Sequence, residues 1–290
     1  MSEFQLSCRQ AYKNLYKVLE FGNEIDIDIS IVSNGRKFSN LHFVESIAKY
    51  KIAGISISIE GSKPEIHEKI SMVPGSYEET VQGFRNLKNA GFKVSTITTI
   101  CNTNKHDILN IADFLIYEGQ KHLAFNFCLP SLGCKKIASE VLSINSMGAC
   151  IDEVWSWCKV QGVRVSFITP FLHCKLSTKT LDDIKGGKVW LGGCHMYSGS
   201  GIVIDYDLQI LPCTHLVNVR LGSLKKENNQ IIGIDEFQQL WEVEIKNNFR
   251  EKLWKYPSEI CLSCEKWKDC LGGCPLLWLK YNAVEEIIGN

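Results

Sequence analysis

Four cysteines fall within 14 residues near the end of the chain, as Cys261-x2-Cys264-x5-Cys270-x3-Cys274-Pro275, with Gly272 and Gly273 in the last gap. Such a segment lets the backbone wrap around one or more metal centres. Glycine removes the Cβ where chain must approach inorganic sulfide, and leaves N–H groups that stabilise a reduced cluster. Upstream, Cys194 and Cys213 flank the stretch Gly201–Pro212, whose alternation predicts a hairpin that brings both to the same site. Three chemistries remain open on spacing alone: an iron–sulfur centre, a structural four-cysteine zinc site, and disulfides or free thiols. Zinc sites more usually come as two matched C-x2-C pairs, a pattern this segment lacks.

The 290 residues hold 13 cysteines in two populations, with Cys174 between them. Cys8, Cys101, Cys128, Cys134, Cys150 and Cys158 are scattered through apolar or helical surroundings and read as buried thiols packing as small hydrophobes. Cys194, Cys213, Cys261, Cys264, Cys270 and Cys274 crowd into the last third. Clustered cysteines with no basic, apolar leader at Met1-Ser-Glu-Phe-Gln point to metal in a cytoplasmic protein rather than to secreted disulfides. Lys+Arg and Asp+Glu both number 32, so no long-range field recruits nucleic acid or an anionic membrane. No apolar run approaches the roughly 18 residues of a spanning helix.

The first 170 residues alternate between two periods. Residues 25–32, 54–59, 93–100, 123–127 and 163–168 carry β-branched or aromatic residues at every second position, the signature of strands. Helical stripes lie between them, at 9–21, at 40–50, at Tyr77, Val81, Phe84 and Leu87, at Ile108, Ile111, Ala112 and Leu115, and at Ile151, Val154 and Cys158. Ser76 with Glu79 reads as a capping box. Strands alternating with helices of this length predict an α/β fold with a parallel sheet. The polar positions Asp26, Asp28 and Ser30 on one strand face suit a barrel whose inner face and rim bind ligands. Beyond residue 170 come short strands, turns and one helix near 235–252. The expected domains are 1–175 and 176–290, with Lys185-Gly-Gly-Lys188 as a flexible joint.

The cysteine spacing resembles the SPASM motif, C-x9–15-G-x4-C, gap, C-x2-C-x5-C-x3-C, gap, C. Here it reads Cys194-x13-Leu208-x4-Cys213, then Cys261 to Cys274. Ile202–Cys213 is similar to the family's "DGxVxPC", and Leu221-Gly222 and Phe237-x3-Trp241 stand where it has "GN(I)" and an "IW" helix. The front is similar to a radical S-adenosylmethionine (SAM) core from its second helix onward. Ser33-Asn34-Gly35 is similar to "TNG", Ser58-Ile59-Glu60-Gly61 to "SxDG", and Ile66-His67-Glu68 to "xHD". The resemblance implies an incomplete radical SAM-type (β/α) partial barrel followed by a small SPASM iron–sulfur domain. It further implies a peptide- or protein-modifying maturase with one or two auxiliary 4Fe–4S clusters, and Ser33, Asn34, Gly35, Ser58 and Glu60 on the SAM side. Carried over, Cys194, Cys213 and Cys274 hold one cluster with Cys174 as a fourth ligand, and Cys261, Cys264 and Cys270 hold the other. A peptide substrate and an electron-donor protein are the implied partners, with neither nucleic acid nor membrane.

The departures are as informative. Leu208 replaces the motif glycine, so a different turn is expected there, and no cysteine follows Cys274 within these residues. Thr214 follows Cys213 where sulfatase-maturing relatives carry Asp, which argues against that branch. His215 and Asp205 are candidate acid–base groups, weighed against plain loop residues. No C-x3-C-x2-C occurs anywhere, and Leu6-Ser7-Cys8-Arg9 stands where the family has "GGEP". Only four of the family's six barrel strands are read, with 163–168 beyond them. The expectation is therefore a chain unable to cleave SAM alone. It would use SAM only if a truncated or split-off N-terminal fragment is supplied. The rival is a metal-stabilised accessory module, iron–sulfur or zinc, that binds peptide or carries electrons.

Overall fold

The computed structural model describes residues 3–7, 14–130, 138–198, 203–205, 207–217, 219–227, 230–232, 261 and 263–277. Cys8, Cys134, the start of the first expected helix and the helix expected near 235–252 lie outside the described residues. The chain forms two compact units, one of residues 1–126 with 153–166, the other of 127–152 with 167–290.

The first unit is built on strands β1 (Glu3–Ser7), β2 (Asp28–Ser33), β3 (Gly54–Ser58), β4 (Val94–Ile100), β5 (His122–Phe127) and β6 (Arg164–Phe167), which stand side by side in chain order. The sheet is parallel, with Phe4 opposite Ile29, Ile31 opposite Ile55, and Ile57 opposite Thr96. Helices α1 (Leu15–Glu24), α2 (Leu41–Ile47), α3 (Pro64–Ser71), α4 (Ser76–Asn89), α5 (Ile108–Tyr117) and α6 (Ile144–Gln161) fall between the strands. This is the α/β alternation expected from the two periods. β1 is an addition: five residues that the alternation of 3–7 was too short to announce, paired in register with β2.

Period two decides which face each strand buries. On β2, Ile29 and Ile31 are 1% and 2% exposed. A Cβ at Gly22 of α1 would stand 2.2 Å from Ile29 Cδ1, so that helix lies directly on the strand. Asp28, Ser30 and Val32, on the other face, stay half-buried. They line, with Ser56, His122 and Arg164, a cavity of about 780 Å3 near the strand starts. α4 buries Val81, Phe84 and Leu87, each worth about 1.5–3 kcal/mol of transfer free energy. Its N-cap differs from expectation. Gly75, at φ 77°, precedes the helix with no side-chain cap. Glu79 instead pairs with Arg36, and Ser76 bonds Ser71. Tertiary partners outcompeted the local capping box.

In the second unit, a 3-10 turn (His173–Lys175) leads into α7 (Thr178–Lys185), capped by Ser177. Lys185–Lys188, read from sequence as a joint, forms the end of this helix. Lys188 N–H bonds the Asp183 carbonyl, its ammonium bonds the Asp183 carboxylate, and Gly187 takes φ 68°. β7 (Trp190–Leu191) and the short helix α8 (His195–Ser198) follow. Then come β8 (Val203–Ile204), β9 (Gln209–Leu211) and β10 (Gly222–Ser223) as an antiparallel sheet in the order β10-β9-β8, and the ribbon β11 (Lys225–Glu227) with β12 (Gln230–Ile232). α9 (Trp267–Cys270) is the last described helix. Among the described residues no helix is long and apolar enough to cross a membrane.

Candidate functional site: two strand-end turns and a cysteine-lined fold

In a parallel sheet all strand C-termini open on one edge, which is where such sheets place ligands. Ser33, Asn34 and Gly35 leave β2 at that edge, and Ser58 and Glu60 leave the neighbouring β3. The first turn is tightly held. Gly35 N–H donates to Ser33 Oγ at 3.2 Å and Arg36 N–H to Asn34 Oδ1 at 3.3 Å. Gly35 needs its φ of 79°, and a Cβ there would stand 2.8 Å from Ile57 Cγ2. α4 fixes the turn from outside. Thr80 Oγ1 donates to the Asn34 carbonyl at 2.8 Å, and a Cβ on Gly83 would sit 2.2 Å from the Gly35 carbonyl oxygen.

The second turn is held just as closely. Glu60 N–H donates to His67 Nδ1 at 3.1 Å, which makes that nitrogen the acceptor. Asn104 donates to the carbonyls of Glu60 and Thr99, and the Asp107 carboxylate accepts both the N–H and the hydroxyl of Ser62. Sequence reading named none of Thr80, Gly83, Asn104 and Asp107 as site residues. Each acts on a turn 44 or more positions earlier in the chain, so nothing local betrays it.

Glu60 is the electrostatic outlier of this edge. Its carboxyl is enclosed and accepts the Thr99 N–H at 2.7 Å. Burial raises its pKa from 4.5 to about 7, opposed by that hydrogen bond. Because the folded value lies above the unfolded one, folding favours the protonated acid. That stabilisation is complete below pH 4.5 and is lost as pH rises through about 7. Glu60→Gln should match the parent protein in stability near pH 4 and exceed it by about 2–3 kcal/mol at pH 8. Urea unfolding across that range checks it, and parallel pH profiles for the two proteins would refute it.

The cysteines of the second unit differ in their surroundings. Cys274 is enclosed: burial pushes its thiol above the usual range, and the thiols of Cys194 and Cys213 push it in the same direction. Its N–H donates to the Pro170 carbonyl at 2.9 Å. Burial also raises Cys270, and there the neighbouring thiols are Cys174 and Cys261. The Cys264 N–H closes a turn on the Cys261 carbonyl at 3.1 Å, and α9 then carries the chain to Cys270. Cys174 itself is exposed, on the 3-10 turn His173–Lys175. Burial raises the Tyr197 hydroxyl, helped by Cys194, Cys274, Cys270 and Cys261. A cavity of about 460 Å3 is lined by Cys194, Cys270, Tyr197, His173 and Gly273 among others. Among the described residues no three Cys, His, Asp or Glu side chains converge as they would around one metal ion.

Three local expectations change here. Gly273, at φ 71°, is needed because a Cβ would stand 3.1–3.2 Å from the backbone of Phe171 and Leu172, so its smallness serves chain packing. Leu208, in the motif glycine's place, keeps a glycine-like turn: its φ is 61°. Asp205 explains how, since its carboxylate accepts the N–H groups of Asp207 and Gln209 at 2.9 Å each. That employment makes Asp205 a turn residue. His215, whose pKa is lowered by burial, lies with Nδ1 3.6 Å from Cys213 Sγ, beside the thiol rather than in open solvent.

Residues 8–115 match the Radical SAM superfamily. That match spans the strand-end turns at Ser33–Gly35 and Ser58–Glu60. Over 276 residues, 90% of this chain and 70% of the relative, it is 24% identical to the AdoMet-dependent heme synthase of Nitratidesulfovibrio vulgaris. It is 26% identical over 98 residues to the enzyme of the same name from Methanosarcina barkeri, of which that stretch spans 27%. In fold it is similar to native anSMEcpe with bound AdoMet and a peptide, at TM-score 0.65 and 17% identity, covering 99% of this chain and 83% of that one. Streptococcus suis SuiB bound to S-adenosylmethionine gives TM-score 0.69 and 17% identity over 96% of this chain and 63% of SuiB. SuiB has also been solved with its precursor peptide SuiA. The radical SAM partial-barrel fold expected from the strand-end motifs is therefore the fold observed.

Proposed function

We propose that the chain is part of a radical SAM/SPASM maturase acting on a peptide or protein, with auxiliary 4Fe–4S clusters in residues 176–290. Cys194, Cys213 and Cys274 would hold one cluster, and Cys261, Cys264 and Cys270 the other. The observation that carries this reading is that cysteines far apart in sequence share one region: Cys194 and Cys270 line the same cavity with Tyr197, and the backbone of residues 170–173 contacts both Cys270 Sγ and the Cys274 N–H. The donor chemistry fits a cluster: His173 N–H already donates to Cys270 Sγ at 3.4 Å, the kind of N–H···S contact that stabilises a reduced centre.

Ser33, Asn34, Gly35, Ser58 and Glu60 would face SAM at the strand-end edge. Bound with its own cluster, SAM supplies a 5′-deoxyadenosyl radical that abstracts hydrogen from substrate. These 290 residues contain no C-x3-C-x2-C to hold that cluster. The ligands of that cluster would come from outside these 290 residues, and an electron donor would reduce it. The names of the heme-synthase relatives favour a second reading, a tetrapyrrole side chain in place of a peptide. Porphyrin binding, seen as a shifted Soret band on titration, is its test. The main reading is tested by anaerobic reconstitution. The protein should turn brown and take up iron and acid-labile sulfide in equal amounts. Binding of zinc with no sulfide would replace this proposal with the structural-module reading.

A further inference from the structure

The geometry points to Cys174 as the fourth ligand of the cluster held by Cys261, Cys264 and Cys270, not of the one held by Cys194, Cys213 and Cys274. This rests on the iron–sulfur reading above and changes the ligand set that sequence alone implied. A cubane has four irons to ligate, and the second triad offers three thiols. The segment that supplies Cys174 runs past Cys270, one thiol of that triad: the Phe171 carbonyl stands 3.9 Å from Cys270 Sγ, and His173 N–H donates to the same sulfur at 3.4 Å. Cys174 is the next residue, on the same 3-10 turn. The segment also meets Cys274, since Pro170 accepts its N–H, but that contact lies further along the chain from Cys174 than the one at Cys270 Sγ. A Cβ on Gly273 would stand 3.1–3.2 Å from the Phe171 and Leu172 backbone, so the two segments pack closely.

The turn is also held from its far side. A Cβ on Gly148 would stand 2.3 Å from the Lys175 carbonyl oxygen, so α6 lies directly against it. Two residues on, the Asp152 carboxylate accepts the N–H and hydroxyl of Ser177. A thiol on a turn fixed from both sides is pre-positioned, and ligation there costs little ordering entropy. On binding, Cys174 would lose its proton and form one Fe–S bond.

Exposure makes the test direct, because Cys174 is open to an alkylating reagent unless iron occupies it. Full-length protein is reconstituted anaerobically with iron and sulfide, then treated with iodoacetamide and mapped by peptide mass spectrometry. Cys174 should resist labelling in the loaded protein and label fully after chelation. Cys174→Ala should retain the cluster of Cys194, Cys213 and Cys274. Its other cluster should lose one iron in four on mild oxidation, giving the near-isotropic EPR signal of a 3Fe–4S centre absent from the parent. Full labelling of Cys174 in iron-loaded protein, with unchanged iron and EPR in Cys174→Ala, would overturn the ligand assignment while leaving the clusters in place. Protein that takes up no iron and sulfide at all would overturn the cluster reading and this inference with it.

Discussion

Cys274→Ala is expected to remove about half of the bound iron from reconstituted protein and to destabilise the second unit severely, whereas Cys158→Ala leaves iron unchanged. Both side chains are buried, at 8% and 0% exposure, so burial alone does not distinguish them. Their neighbours do. Cys158 is a thiol raised to about 12 by burial alone, on the apolar side of α6. Its loss removes a small apolar group at a cost of order 1 kcal/mol. Cys274 anchors its own N–H on Pro170 and, in the proposed cluster, shares ligation with Cys194 and Cys213. Without its sulfur two ligands remain for that cluster, and the folding energy tied to ligation goes with it. Iron content and thermal unfolding of the two variants, measured side by side, decide the matter. Equal iron in both would show that the buried and the ligating thiols have been sorted wrongly.

The second large effect is the absence of a reaction. Reduced, reconstituted protein of these 290 residues should release no 5′-deoxyadenosine from SAM, and should do so once a polypeptide carrying C-x3-C-x2-C is added. SAM cleavage in this superfamily needs an iron with an open coordination position, held by that three-cysteine loop. The described cysteines of this chain with metal-type spacing all lie in the second unit, and the turns at Ser33–Gly35 and Ser58–Glu60 offer no thiol. Chromatographic detection of 5′-deoxyadenosine is the measurement. Turnover by the chain alone would refute this account.

Particular residues show how far sequence carried the reading. Strands β2 to β6 were legible because one face of each is buried, and burial imposes period two: Ile29, Ile31 and Ser33 inward, Asp28 and Ser30 less so. β1 escaped because five residues with no helix stripe before them give too little period to count. The Ser76–Glu79 capping box was a sound local signal defeated by an ion pair 43 positions away, between Glu79 and Arg36. Leu208 in the motif glycine's place predicts a different turn. Two hydrogen bonds to the Asp205 carboxylate hold it at φ 61° instead, a conformation that costs leucine roughly 1 kcal/mol or more.

Sequence by itself determined the chemistry available to this protein: which thiols exist, their spacing along the chain, and the strand-end motifs that resemble those of a radical SAM domain. Spacing is a one-dimensional property, and it survives intact from gene to fold. What only the tertiary structure decided is which of those groups meet. Cys174 lies 20 residues before Cys194 and 96 before Cys270, so chain distance favours the first pairing. The fold sets the backbone of residues 171 and 173 against Cys270 Sγ, and Cys174 is the next residue along that turn. Contacts between distant segments are selected by packing and backbone hydrogen-bond satisfaction across the whole unit, and neither is written at any single position.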